Sequence, residues 1–267
     1  MVRDTRRTMV SGYRVKNYKE LIFLLLQTIL YLVFLFLDIT CGSIGLSVGI
    51  KYTIIILCFC YALLAGSASK SIVFLLQAGL LFTLIADLFI LVLDYYLYGV
   101  FAFILVQQLY SLRLAYITLA QRGGLPGSEN NKGRVRVLTI YLKRLVVQFG
   151  IAVIVCLLVL FAGVDPDSLL VASVIYFISI LTNTISAVRL ACTDIHHKNN
   201  LLYGIGMLLF LLCDINVGLF NLSGFIAMPE DIYSVIYSYS SILMWSFYAP
   251  SQVLIAISSH YSEKRRI

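Results

Sequence analysis

Apolar and polar positions along this chain do not alternate. They separate into long apolar runs, at about 21–38, 50–66, 71–93, 96–120, 145–163, 168–192, 200–222 and 235–258, divided by short polar stretches. Each run is near the ~20 residues that a helix rising 1.5 Å per residue needs to cross the hydrocarbon core. None shows the period-two alternation that a membrane barrel requires. The pattern predicts an all-α, polytopic membrane protein, a bundle of about eight transmembrane helices. The run at 50–66 is the shortest and reads as a borderline span, tilted or re-entrant. Residues 1–20 read as a basic segment, 21–258 as the membrane domain and 259–267 as a basic tail. The stretch at 121–136, RGGLPGSENNKGRVR from Arg122 onward, is turn-rich and reads as a loop dividing the helices four by four.

Composition agrees with the pattern. The chain of 267 residues is 61% apolar and 12% charged, against about 25% charged for a soluble domain, which excludes a soluble globular protein. A net charge of +7 is one footprint of phosphate binding. Here, however, the basic residues fall in short runs between spans, as on the cytoplasmic face of a membrane protein. No nucleic-acid partner is expected. With eight spans both termini share a side, and that side or the helix ends nearest it take every basic residue except Lys51. Arg113 and Arg189 are the two read as helix-end residues. Asp38, Asp94, Asp165, Asp167, Glu230 and Asp231 take the opposite face. The expectation is an integral, multi-pass protein with cytoplasmic termini, in the plasma membrane if its source is bacterial. The basic start, Arg3 to Lys19, leads into a run of span length with no A-x-A site, so that run reads as the first span rather than a signal peptide. The six cysteines form no disulfide framework or zinc motif. The tyrosines at 95, 96, 98, 233, 237 and 239 read as an interfacial aromatic belt.

Two residues are out of place in such spans. Asp87 lies in GLLFTLIADLFIL and Asp214 in GMLLFLLCDIN. An aspartate near a helix centre costs about 2.5–3.5 kcal/mol on insertion, so each must face the bundle interior and find a partner on another helix. The candidates by depth are Gln107, Gln108, Tyr110, Asn183, Asn216, Tyr248 and Gln252. Two carboxyls in a dry cavity do not readily both ionise, so one tends to hold a proton. One acid to donate and one base to activate water is the equipment of general acid–base chemistry. The same acids could instead be helix–helix hydrogen-bond contacts or a transporter's proton relay. Histidines 196, 197 and 260 fall in loop and tail. There is no HExxH and no GxSxG, and no metal or cofactor is expected.

The blocks around these acids carry a resemblance. GLLFTLIADLFIL at 79–91 is similar to a GLLFSxxGD pattern, and GVFAFILVQQLY at 99–110 to GLxxFLxAHxxY. GMLLFLLCD at 206–214 looks like GAxLFxxSD, and LMWSFYAPSQVLIAIS at 243–258 looks like an ending in YYxAQxLI. Together, in this order, they resemble the YhhN/TMEM86 family of membrane proteins, the lysoplasmalogenases. The resemblance implies an eight-helix bundle that hydrolyses the vinyl ether of a lysoplasmalogen, giving a fatty aldehyde and a glycerophospho-alcohol. It implies Asp87 and Asp214 as the catalytic acids. Lys51, Gln107, Tyr110, Tyr248 and Gln252 would line the polar part of the cavity, with Lys51 opening the second span and meeting the lipid phosphate. The partners implied are a lysophospholipid substrate and membrane lipids. Four positions depart from the pattern: Gln107 stands for histidine, Ala86 for glycine, Cys213 for serine and Ala249 for tyrosine. The competing readings are a relative that binds lipid without turnover, a small membrane transporter and, more distantly, a two-aspartate intramembrane protease, for which no GxGD block is present.

Overall fold

The computed structural model describes the backbone of residues 2–64, 70–121, 131–161, 163, 166–193, 197–224 and 229–259. Side chains are described from residue 18 onward, apart from those at 70, 131 and 132. Among these residues eight α-helices follow one another: α1 (Val2–Ile39), α2 (Ile44–Leu63), α3 (Lys70–Asp87, continued by a π-helical turn at Leu88–Val92), α4 (Tyr96–Gln121), α5 (Asn131–Phe161), α6 (Ser168–Thr193), α7 (Lys198–Phe220) and α8 (Glu230–Ile257). There is no strand among the described residues. All eight helices are long and apolar enough to cross a membrane.

Several boundaries differ from the hydropathy pattern, beginning with α1, which starts at Val2 and takes in most of the basic segment before its apolar run. The second span is a full helix from Ile44, started by Ser43, whose hydroxyl accepts from the Leu46 amide. Small and polar residues at its start (Gly45, Ser47, Gly49) dilute the apolar signal there. Lys51 therefore does not open the span but sits two turns inside it. The fifth helix begins at Asn131, well before its apolar run, so residues 131–136 are helical rather than loop. The rest of that loop, 122–130, and the tail from 260 lie outside the described residues. The eighth helix starts at Glu230, where Glu230 and Asp231 in the first turn face the positive end of the helix dipole.

Neighbouring helices build a closed ring of six, in the order α2, α3, α4, α6, α7, α8 and back to α2. Helix α1 lies outside it against α2 and α8, and α5 outside it against α4 and α6. Adding four to each helix number regenerates every one of these principal contacts. The bundle is thus two four-helix halves arranged about a pseudo-twofold axis through the ring. The most extensive contacts in each half, α3 with α4 and α7 with α8, use a glycine in the same register. Gly79 and Gly206 each stand eight residues before the intramembrane aspartate. A β-carbon on Gly79 would run into the Tyr110 ring, and one on Gly206 would lie 2.9 Å from Ile255 and 3.1 Å from the Ser251 carbonyl. Small residues let membrane helices approach where no hydrophobic drive holds them together.

Polar side chains hold the outer helices on. Gln27 of α1 donates to the Ile54 carbonyl of α2 at 3.1 Å. On α5, Gln148 donates to Thr182 of α6 at 2.7 Å and accepts from Gln108 of α4 at 3.4 Å. Val146, Leu158 and Phe161 of α5 point outward, exposed where lipid would lie. The buried core fills the ring with Ile54, Leu80, Val106, Ile180, Met207 and Ile255.

Candidate active site

Asp87 is the last residue of regular α3, at the junction where the backbone widens. Beyond it the Leu93 amide bonds to the Leu88 carbonyl five residues back, at 3.1 Å. Single π turns of this kind occur often at functional sites. The carboxyl is buried, and the hydroxyl of Tyr248 on α8 donates to its Oδ2 at 2.7 Å. Asp214 on α7 has the matching arrangement. Half-buried, it accepts from the hydroxyl of Tyr176 on α6, also 2.7 Å to Oδ2. The two carboxyls lie within electrostatic range of each other. Tyr176 and Cys213 share that range with both, while Tyr248 and Tyr52 of α2 lie within range of Asp87. Five ring helices thus converge on one acidic pair: α2, α3, α6, α7 and α8.

Aromatic rings of a sixth element and of α8 enclose it. Phe103 of α4 packs against Tyr176 at 5.6 Å, Phe210 at 5.9 Å and Tyr248 at 6.5 Å between centroids. Trp245 meets the Tyr248 ring edge-on at 5.2 Å. Such contacts fix the tyrosine rings, so their hydroxyls arrive at the carboxyls in a set direction. Pro250, two residues past Tyr248, has no N–H for the Ser246 carbonyl, and the Tyr31 hydroxyl of α1 approaches that carbonyl at 3.4 Å instead.

Lys51 stands beside the pair rather than in it. Its Nζ is 2.7 Å from Asp38 Oδ2, and the Ser47 hydroxyl donates to Asp38 Oδ1 at 2.5 Å. The ammonium also lies 5.1 Å from the Trp245 ring centroid and 5.6 Å from that of Phe34. It therefore connects to Tyr248 through Trp245. Gln107 is fully buried on α4, where Asn183 of α6 donates to its carbonyl at 2.7 Å and to its Oε1 at 3.1 Å. Its Nε2 has no acceptor among the described residues. Tyr110 is one turn further along α4, its ring against Gly79 and Tyr203 and its hydroxyl toward Thr83. Gln252, one turn after Tyr248, donates to Ser251 at 3.3 Å, and its Oε1 has no donor among the described residues.

Of the partners expected for the acids, Tyr248 alone bonds to one. Asn216 turns back to the Leu212 carbonyl, and Gln108 belongs to the α5 network. Tyr176 is the partner that sequence reasoning missed. Its signal was a tyrosine eight residues inside a span, away from the interfacial belt. Asp38, expected only as one of the acids on the face opposite the termini, is the partner of Lys51. Arg113, read as a residue at a helix end, is buried at 4% exposure. No group of three His, Cys, Asp or Glu side chains converges among the described residues.

The model of the YhhN family matches residues 46–259. The chain belongs to the YhhN family. The YhhN match runs from α2 to just beyond α8 and takes in both aspartates, both tyrosines that bond them, and Lys51. Helix α1, with Asp38, lies outside it. Nothing among curated proteins and nothing among solved structures matched the chain.

Chemically, the site offers two carboxyls, each with one oxygen engaged by a tyrosine hydroxyl. No other described residue donates to either group. Such a pair can give a proton to a substrate and take one from water within a wall of aromatic carbon.

Proposed function

We propose that the protein is a lysoplasmalogenase-like hydrolase, cleaving the vinyl ether of a lysoplasmalogen within the membrane by carboxyl acid–base catalysis. The observation that carries this reading is the pairing of Asp87 and Asp214, each held by a tyrosine from a different helix. Family membership supports it. In the reaction, one carboxyl protonates the β-carbon of the vinyl ether and leaves an oxocarbenium ion. The other carboxylate stabilises that cation and takes a proton from the water that adds to it. The resulting hemiacetal collapses, releasing the fatty aldehyde and returning a proton to the alcohol oxygen of the glycerophospho-alcohol. One water is consumed in all, with no redox change. Tyr248 and Tyr176 orient the carboxyls. Gln107 lends its unpartnered amide to a water, while Gln252 and Tyr110 extend the polar wall. Lys51, balanced by Asp38, draws the lipid phosphate as a point charge. The lysolipid's single chain suits an enclosed apolar site. Both termini face the cytoplasm in this reading, since nearly all basic residues lie on their side.

The test is aldehyde release from lysoplasmalogen by the purified chain in detergent, beside Asp87→Asn and Asp214→Asn. Aldehyde from the wild type and none from either folded variant is expected. Full activity in either variant removes that residue from the mechanism. No aldehyde from folded wild type would turn the reading toward lipid binding without turnover.

A further inference from the structure

Arg113 is a buried cation with no acidic partner among the described residues, its one acceptor there being the hydroxyl of Tyr203. It lies on α4, eight residues before the helix ends, with its guanidinium carbon 4.1 Å from the ring centroid of Tyr203 on α7. Its Nε and Nη1 are closed off from solvent and bond to nothing, and no described carboxylate or carbonyl accepts from it. The groups around it are neutral hydroxyls and a second cation. The hydroxyls of Tyr110 and Tyr203 are buried, the first toward Thr83 and the second toward Arg113 itself, and Nη1 of Arg144 on α5 is buried without a partner among the described residues. The Tyr110 ring meets the Tyr203 ring edge-on at 5.9 Å. Arg144 lies within electrostatic range of Tyr203.

Burying a cation costs several kcal/mol, and stacking on a tyrosine returns only about 2 kcal/mol. The remainder calls for an acceptor. Two guanidinium groups and two phenol hydroxyls from α4, α5 and α7 suit a dense, multi-oxygen anion, and the planar guanidinium fork matches phosphate. We propose that Arg113, Arg144 and Tyr203, with Tyr110 on the side that borders the substrate cavity, form a binding site for a phosphate group, distinct from the aspartate pair. The separation follows from the helix. Arg113 is ten residues beyond Phe103, the ring that packs on both carboxyl-bound tyrosines, or about 15 Å along α4. Within one lysolipid only a glycerol unit divides the ether oxygen from the phosphate, far less than that. The site therefore takes a second phosphate-bearing molecule, whether a phospholipid headgroup or a free phosphate.

Thermal unfolding of the purified full chain in detergent tests this. Three probes are added: inorganic phosphate against chloride at equal ionic strength, a lysophosphatidylethanolamine with an ester-linked chain, and the monoacylglycerol of the same chain. A phosphate-bearing probe is expected to raise the melting temperature, and the monoacylglycerol is not. Stabilisation by inorganic phosphate identifies a free anion as sufficient, and stabilisation by the phospholipid alone identifies the headgroup. Arg113→Gln should weaken the effect at least tenfold. Arg144→Gln, on the loosely packed α5, serves if Arg113→Gln does not fold. Asp87→Asn should keep the phosphate shift intact, which separates this site from the proposed reaction. No response to either phosphate probe, or an unchanged response in both arginine variants, overturns the proposal.

Discussion

Tyr248 and Asp87 are 161 residues apart in sequence and 2.7 Å apart in the bundle, joined by a hydroxyl that donates to a buried carboxyl. The bond ties α8 to α3 at the point where α3 widens into its π turn. Tyr176 and Asp214 repeat it between α6 and α7. Each acid in the pair is thus aimed by a helix other than its own.

Replacing Tyr248 by phenylalanine keeps the ring against Phe103, Phe210 and Trp245 and removes only the donor. A hydrogen bond to a charged group contributes about 1.5–3 kcal/mol, so aldehyde release should fall about 10–100-fold. Tyr176→Phe should behave alike at Asp214. Turnover measured beside thermal unfolding checks both. Unchanged turnover in a folded variant would leave these hydroxyls with packing alone to do.

The ion pair of Lys51 and Asp38 is mostly buried, at 11% and 17% exposure of the side chains. Removing one partner of a buried pair costs about 3–5 kcal/mol because the other charge remains, whereas removing both is close to neutral. Lys51→Met and Asp38→Asn should each lower the melting temperature, and the double variant should recover most of the loss. If Lys51 also draws the substrate phosphate, the double variant regains stability but still shows a raised KM. A double variant with normal KM would confine Lys51 to structure.

The glycines divide by what surrounds them. Alanine at Gly79 meets the Tyr110 ring and at Gly206 the α8 backbone, and overpacking of this kind costs about 1–3 kcal/mol. Gly49 of α2 and Gly218 of α7 have nothing within 4 Å of an added β-carbon. Alanine there should stabilise by about 0.5–1 kcal/mol, through the entropy glycine loses in a helix. Melting temperatures of the four variants test the glycine registers of the two halves directly. Equal effects at all four would mean that α3–α4 and α7–α8 do not pack through Gly79 and Gly206.

The spans and the two acids were legible because lipid acts on the chain one residue at a time. A helix must be apolar for its whole length, so any carboxyl inside it stands out. What stayed hidden depends on pairing. With 18 tyrosines in the chain, nothing in periodicity marks Tyr176 as a carboxyl partner or singles out Tyr248 from the other candidates by depth, and nothing links Asp38 to Lys51 before α1 and α2 pack. Arg113 was misread because position within a span fixes depth but not facing; its side chain turns inward onto Tyr203. The π turn after Asp87 depends on a hydrogen-bond register that residue types do not specify. The twofold arrangement was visible only as two acids in matching helices, until the Gly79 and Gly206 contacts gave it a register.

Gln107 offers the sharpest test of how water reaches the acids. Its Oε1 accepts from Asn183, and its Nε2 has no acceptor among the described residues. Glutamine can hold a water but cannot titrate. In Gln107→His, one ring nitrogen can still accept from Asn183, so the fold should survive. The other then carries the N–H, and the ring changes charge between about pH 5 and 8. Aldehyde release followed over that range should then gain an inflection absent from the wild type, with activity falling toward the side where the ring protonates and loses the bond from Asn183. Gln107→Leu, which holds no water, should lose turnover at every pH while keeping its melting temperature within a few degrees. Identical pH profiles for wild type and Gln107→His, with full turnover in Gln107→Leu, would remove position 107 from the path of the attacking water.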